Sequence, residues 1–130
     1  RVLKPGGHLA VADWNRRDPQ DGAMNRTERW VMRQLLNQWA HPEFASIPGF
    51  QSNLSTSVHN QGEIATADWT RETLPSWIDS IVEGVRRPGA VFSLGPKAVL
   101  QGLRETPTLL LMHWAFATGL MQFGVFRLRR

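Results

Sequence analysis

The stretch that decides the fold is LKPGGHLAVADW, which occupies residues 3–14. Pro5 favours a turn because its ring fixes φ, and the two glycines after it can adopt the positive φ that tight turns require. The apolar residues 9–12 then predict a buried strand that ends at Asp13. We expect this strand to belong to the middle of a larger fold, with partner strands encoded before Arg1.

The elements that follow are predicted from capping residues and apolar spacing. Asn25 and Glu28 form a capping-box pattern, and the apolar residues after them recur at spacings of three and four up to position 39. Residues 46–58 indicate a further short helix, although its serine and threonine side chains compete for backbone hydrogen bonds. Residues 64–67 follow a polar segment and predict a short strand.

The second half predicts a helical excursion between two strands. Apolar residues at 74, 77, 78, 81, 82 and 85 give the clearest helical periodicity, with Thr73 as the predicted cap and Pro88 as the stop. Pro96 is expected to open a short helix, and Thr106 to open a separate helix that ends at Gly119. Residues 121–126 alternate between the two faces, which predicts a final strand.

Composition limits the classes of function. With 130 residues the chain accommodates one core, and the absence of cysteine excludes disulfides and thiolate catalysis. The four histidines lack the spacing of metal ligands, so no metal site is expected. The net charge of +4 comes largely from arginines at element ends, and we expect solvated cations there rather than a nucleic-acid partner.

The segment LKPGGHLAVAD at residues 3–13 resembles a late strand of class I S-adenosylmethionine-dependent methyltransferases, in which LKPGG separates a helix from the fifth strand. The resemblance implies an α/β fold: the C-terminal portion of a Rossmann-like sheet, with about three strands, the last one antiparallel and inserted between the other two. It also implies that residues 1–130 are the C-terminal part of a single methyltransferase domain. A helical insertion at about 73–119 would lie on the substrate side of that domain. S-adenosylmethionine would be bound mainly by residues before Arg1, since no G-x-G-x-x-G follows a strand here.

Two further segments resemble the tocopherol-pathway methyltransferases of cyanobacterial type, the γ-tocopherol and 2-methyl-6-phytylbenzoquinol enzymes. The first is ADWTRETLPSW at residues 67–77, and the second is the apolar stretch at residues 109–127 that ends MQFGVFR. The resemblance implies methyl transfer to a ring carbon of a prenylated quinol, a lipophilic small molecule. The full-length protein would be the enzyme, and this chain alone is expected to be inactive.

Large apolar side chains are the candidates for binding a prenyl tail, although each one taken alone is also typical of a helix-on-sheet core. They are Trp14, Trp77, Ile81, Leu110, Trp114 and Phe116. Two residues are candidates for proton transfer. Asp13 lies where open α/β sheets place ligands, and the imidazole of His113 could deprotonate a phenol near neutral pH. A turn carboxylate and a core histidine are the plainer interpretations.

Other functions stay open from the sequence. A sterol or other small-molecule methyltransferase would share these motifs, and a non-enzymatic membrane-surface or basic binding module would use the helices and arginines alone. Residues 109–126 are nearly all apolar, but a Thr-Pro start and a Gly stop divide them into a short helix and a strand, neither of which spans a bilayer. We expect a cytoplasmic protein or one in peripheral contact with a membrane.

Overall fold

A computed structural model describes residues 6–40, 42–58 and 64–129 of the chain. The predicted order of strand, helices, strand, helical excursion and final strand is confirmed in these residues. The elements are β1 (His8–Arg16), α1 (Arg26–Gln38), α2 (Ile47–Val58), β2 (Ala65–Asp68), α3 (Thr70–Arg86), α4 (Pro88–Ser93), α5 (Pro96–Ala117) and β3 (Met121–Arg129). Gly6 has the expected positive φ, +75°, whereas the turn predicted at Pro5 lies outside the described residues.

The three strands form one sheet in the order β1, β3, β2, with β3 antiparallel to both neighbours. The expectation of an antiparallel last strand between the other two is therefore confirmed. The predicted end of the first strand at Asp13 is wrong. β1 continues to Arg16 because β3 supplies partners along its whole length, from His8 opposite Arg129 to Arg16 opposite Met121.

Helices cover both faces of this sheet. On one face Phe126 and Leu128 are buried, and the Phe126 ring lies 4.5 Å from that of Phe50 on α2. On the other face β3 meets α1 and α5 in the main core. The buried residues of this core are Val31, Met32, Leu35, Phe44, Met112, Ala115, Phe116, Leu120 and Met121.

The start of α3 differs from its prediction. The helix begins at Thr70, and Trp69 instead of the predicted Thr73 holds the cap position, because the Asp68 carboxylate accepts hydrogen bonds from both the backbone N–H and the hydroxyl of Thr70. An aspartate that follows a strand can turn the chain in this way and so start a helix early. Pro75 is the sixth residue of α3, so it removes the helical hydrogen bond to the carbonyl of Arg71, which is an exposed residue.

The two helices predicted after residue 96 form one continuous helix, α5, of 22 residues. The prediction of a separate helix opening at Thr106 was therefore wrong, and α5 continues through Pro107. The ring leaves the carbonyl of Leu103 without its helical donor, at an exposed position where water can replace it. The Thr106 hydroxyl also donates to the carbonyl of Gly102 at 2.8 Å. Gly119 follows the helix with φ +71°, as expected.

Polar contacts attach the start of α1 to the sheet. The predicted capping box is confirmed: Asn25 accepts from the N–H of Glu28, and the Glu28 carboxylate accepts from the N–H of Asn25 at 2.7 Å. Arg17, one residue beyond β1, donates to both carboxylate oxygens of Glu28, at 3.0 and 3.1 Å. These bonds hold the pKa of Glu28 below its ordinary value, with the Arg17 bonds as the larger cause.

We expect acid to weaken the fold through Glu28. A carboxylate whose pKa is lowered on folding stabilises the protein above its unfolded pKa, and this contribution is lost as the pH falls through the folded pKa. Urea unfolding between about pH 5 and pH 3 should therefore show falling stability, and Glu28→Gln should flatten this dependence while costing about 2 kcal/mol at pH 7. Glu72→Gln, at an exposed glutamate of α3, is the control. An unchanged acid profile in Glu28→Gln would contradict the assignment.

A second prediction concerns Gly124 of β3, which packs against the buried side chain of Asn15. Asn15 accepts from the Gly124 N–H at 3.1 Å and donates to the carbonyl of Ala45 at 3.2 Å, so its amide is held from both sides. A Cβ at position 124 would lie 2.1 Å from Asn15 Oδ1. Gly124→Ala should cost about 2 kcal/mol in chemical unfolding.

The matched control is Gly102→Ala in the exposed interior of α5, where a Cβ would meet nothing within 4 Å. It should raise stability by up to about 1 kcal/mol, because alanine loses less backbone entropy in a helix. Equal effects of the two substitutions would refute the close packing at Gly124.

Candidate functional site

Three tryptophans meet at the end of β1. The Trp14 ring stacks on that of Trp39 from the end of α1, with centroids 4.4 Å apart and planes at 27°. It also meets Trp77 of α3 edge to face, at 6.3 Å and 87°. Both arrangements are favourable for aromatic quadrupoles, so Trp14 is fixed by rings from two different helices.

A small cavity lies beside these rings, between β1, β3, α3 and α5. Its volume is about 20 Å³, which is enough for roughly one water molecule. The Nε1 atom of Trp77 is buried in this region without a hydrogen-bond partner in the described part of the chain. The lining residues are Trp14, Thr70, Thr73, Leu74, Trp77, Phe116 and Phe123.

A much larger groove runs between α3, α4 and α5, and Trp77 lies in the wall of both spaces. Its volume of about 500 Å³ is within the range of small-molecule sites. The lining is almost entirely apolar, and the only side-chain polar groups are the hydroxyls of Ser80 and Thr106 and the indole of Trp77. The other residues are Ile81, Gly84, Val85, Pro88, Phe92, Val99, Gly102, Leu103, Leu109 and Leu110.

Hydrogen bonds fix the beginning of α3, and hence Trp77, to the central strand. The Trp69 N–H donates to the carbonyl of Phe123, and the Phe123 N–H donates to the Thr70 hydroxyl, both at 2.8 Å. Gln122 Nε2 donates to Asp68 at 3.1 Å. The Asp-Trp-Thr segment at residues 68–70 thus has a structural role, because it sets where the helix carrying Trp77 leaves the sheet.

The predicted substrate residues divide into three groups. Trp14, Trp77 and Phe116 line the small cavity, while Ile81 and Leu110, again with Trp77, line the groove. Trp114 is half-buried against the main core and lines neither space. Five of the six residues therefore lie around two adjoining spaces.

The two candidates for proton transfer lie away from the small cavity. Asp13 is exposed, and its carboxylate accepts from the N–H of Trp14 at 2.8 Å. Neighbouring residues of a strand point to opposite faces, so Asp13 lies across the sheet from the Trp14 ring. His113 is half-buried on α5, one turn from Phe116, and its Nδ1 is buried without a partner among the described residues.

The described residues contain no group of three or more histidine, aspartate or glutamate side chains placed to hold a metal ion. Within residues 6–40, 42–58 and 64–129, no helix is both long enough and apolar enough to cross a membrane.

Several residues of the site were not predicted from the sequence, notably Val99, Leu103 and Leu109 on α5. Dividing α5 into two helices at Thr106 hid their relation. In one continuous helix, positions 99, 102, 103, 106, 109 and 110 recur every three or four residues and form a single stripe along the groove. Phe123 was missed in the small cavity, although the alternation in the last strand was a signal for it.

No protein-family model matches the chain. It is 50% identical over 127 residues to the 2-methyl-6-phytyl-1,4-hydroquinone methyltransferase of the cyanobacterium Synechocystis sp. PCC 6803. The match covers 98% of this chain and 40% of that protein, so the chain spans about two fifths of the length of the relative. The chain is thus similar, over nearly all of its length, to part of a tocopherol-pathway methyltransferase, which confirms the resemblance that its sequence motifs indicated.

Proposed function

We propose that this chain forms the acceptor-binding side of an S-adenosylmethionine-dependent methyltransferase that methylates a ring carbon of a prenylated quinol. The observation that carries the proposal is the apolar groove between α3, α4 and α5, which reaches the tryptophans at the end of β1. The name of the Synechocystis relative, a phytylated hydroquinone methyltransferase, supports the same class of acceptor.

In this proposal the prenyl tail lies in the groove. A tail of about 20 carbons gains roughly 25 cal/mol for each Å² of apolar surface that it buries. The walls near Trp77, Ile81 and Leu110 supply that surface, and the groove has few polar groups that would have to lose water. The affinity for the acceptor therefore comes mainly from the tail.

The quinol ring lies at the tryptophan end, beside Trp14 and Phe123. A ring needs more room than the cavity of about 20 Å³ offers, so acceptor binding displaces the Trp77 ring and widens the cavity. The unpartnered Nε1 of Trp77 can then donate to a quinol oxygen, which would orient the ring. Aromatic walls also keep water away from the reacting carbon.

S-adenosylmethionine, when bound, supplies the electrophilic methyl group. Its usual cradle includes a glycine-rich loop that follows a strand. The sequence has no G-x-G-x-x-G, and α3 follows β2 through Trp69 without a glycine. We therefore assign to this chain the binding and orientation of the acceptor and the exclusion of water, and none of the steps that depend on holding the cofactor.

Removal of a phenolic proton enriches the ring in electrons and so assists attack on the methyl group. Of the two candidates in this chain, His113 suits this role better than Asp13. It lies on α5 one turn from Phe116 of the cavity wall, whereas Asp13 lies on the opposite side of the sheet. Its Nδ1, which has no hydrogen-bond partner among the described residues, would reach the acceptor only if the cavity widens toward His113.

The groove predicts a selective effect on prenylated acceptors. The experiment uses a chimera in which this chain replaces the matching 127-residue segment of the Synechocystis relative. Ile81→Ser should raise KM for a phytylated quinol about tenfold, since it removes apolar surface from the tail site. KM for the same quinol without a tail should change by less than about twofold.

Leu54→Ser is the matched control for Ile81→Ser, because Leu54 is also half-buried but lies on α2, outside the groove. Equal losses on both quinols in Ile81→Ser would assign Ile81 to the core and contradict the tail site. A folded chimera that transfers no methyl group to any quinol would overturn the proposed function itself.

A second prediction concerns the cofactor. The 130-residue chain alone should not bind S-adenosylmethionine with micromolar affinity, since it lacks the glycine-rich loop. Isothermal titration calorimetry tests this, with the chimera as the positive control. Micromolar binding near one equivalent to the chain alone would show that the cradle lies within these residues.

A further inference from the structure

The rim of the groove exposes an unusual amount of apolar surface. Six large apolar side chains of α3, α4, α5 and their connection are 58% to 76% exposed, and we call them the apolar patch. They are Val85, Phe92, Leu94, Leu100, Leu103 and Leu110. Elsewhere in the described residues only Trp30 and Trp69 are comparable, and each stands alone. Contiguous exposed apolar surface of this kind marks a site of interaction.

Cations surround the apolar patch. Arg86 and Arg87 follow Val85 at the end of α3, and Lys97 and Arg104 flank Leu100 on α5. All four are exposed. Two carboxylates lie among them: Glu83 pairs with Arg87, and Glu105 accepts a hydrogen bond from Gln101. The surface around the patch is therefore positive on balance, which favours an anionic partner.

The groove opens at the apolar patch. Four of the six patch residues, Val85, Phe92, Leu103 and Leu110, also line the groove. Whatever covers the patch therefore also covers the mouth of the groove. A lipophilic molecule could then pass from that partner into the groove without crossing water.

We propose that the apolar patch docks on the face of an anionic lipid bilayer. Phe92, near the end of α4, and Leu94, between α4 and α5, enter the boundary between headgroups and acyl chains, and the four cations contact the lipid phosphates. α4 and the first half of α5 lie in the plane of the surface. The docking does not depend on the proposed function, although direct entry of a prenylated quinol into the groove does.

The charges argue against a second copy of the chain as the partner. Packing two patches together would bring eight cations but only four carboxylates into one interface, and this excess of positive charge opposes association. A bilayer of anionic lipid satisfies the apolar residues and the cations at once.

Vesicle co-sedimentation tests the proposal with the 130-residue chain and with the chimera. Vesicles contain phosphatidylcholine with about 30% phosphatidylglycerol, and binding should weaken in pure phosphatidylcholine or at high salt. The double variant Leu100→Ser with Leu103→Ser should lower the partition coefficient at least about tenfold. Its control is Trp30→Ser, which replaces an exposed apolar side chain of α1 outside the apolar patch and should leave binding as in the unchanged protein.

A second pair of variants tests the cations. Lys97→Gln and Arg104→Gln should each lower binding to the anionic vesicles about fivefold. The control is Arg26→Gln, which should have no effect on binding. Gln38 at the end of α1 lies beside Lys97, whereas Arg26 lies at the opposite end of that helix. Circular dichroism confirms that each variant is folded, and because these side chains are exposed no loss of stability is expected.

Three results would overturn the proposal. The first is equal binding by the patch variant and Trp30→Ser. The second is vesicle binding by the chain alone but not by a folded chimera, which would show that the rest of the longer protein covers the patch. The third is a dimer, seen by analytical ultracentrifugation, that the patch variant abolishes. A chimera that docks on vesicles but does not methylate a quinol would refute only the proposed function.

Discussion

The structure depends on the insertion of β3 between β1 and β2. β3 pairs with β1 along its full length and with β2 on its other side. The strands nearest the two ends of the sequence are therefore neighbours in the sheet, with β3 at its centre. Three helices pack against the two faces of this strand: α2 packs on the face of Phe126, and α1 and α5 pack on the face of Met121. Gly124 is required in β3 because the Asn15 side chain occupies the space of a Cβ.

The same strand positions the candidate site. Phe123 lies opposite Trp14 in the sheet, and its backbone N–H and carbonyl bind Thr70 and Trp69 at the start of α3. Trp77, two turns along α3, is consequently brought to the edge of the Trp14 ring, where the small cavity and the apolar groove adjoin. Tryptophan rings at the sheet next to an apolar groove between helices would suit the proposed acceptor, which has a flat ring and a long tail.

The helical layer from α3 to α5 has a different character from the rest of the molecule. Between Ser80 and Thr106 its apolar side chains line a groove and its rim instead of filling a core, and the buried residues of α5 begin only at Thr108. Leu100 and Leu103 expose apolar surface to water at the mouth of the groove. Exposed apolar surface of this kind is typical of a site that binds a partner. Docking on lipid would explain the patch, the cations and the direction in which the groove opens.

The sequence by itself determined the order of the elements, the capping box at Asn25 and the family resemblance, because these rest on local spacing and short motifs. Periodicity also placed Trp77 and Ile81 on one face of α3, and the helical excursion was expected to contain Leu110 as well. Tertiary structure alone decided that α5 runs unbroken through Pro107, since the carbonyl of Leu103 that loses its helical donor lies at an exposed position, and the residues after the proline are held in the main core. It also separated Asp13 from the cavity, because only the pairing register of β1 with β3 fixes which face of the sheet each side chain occupies.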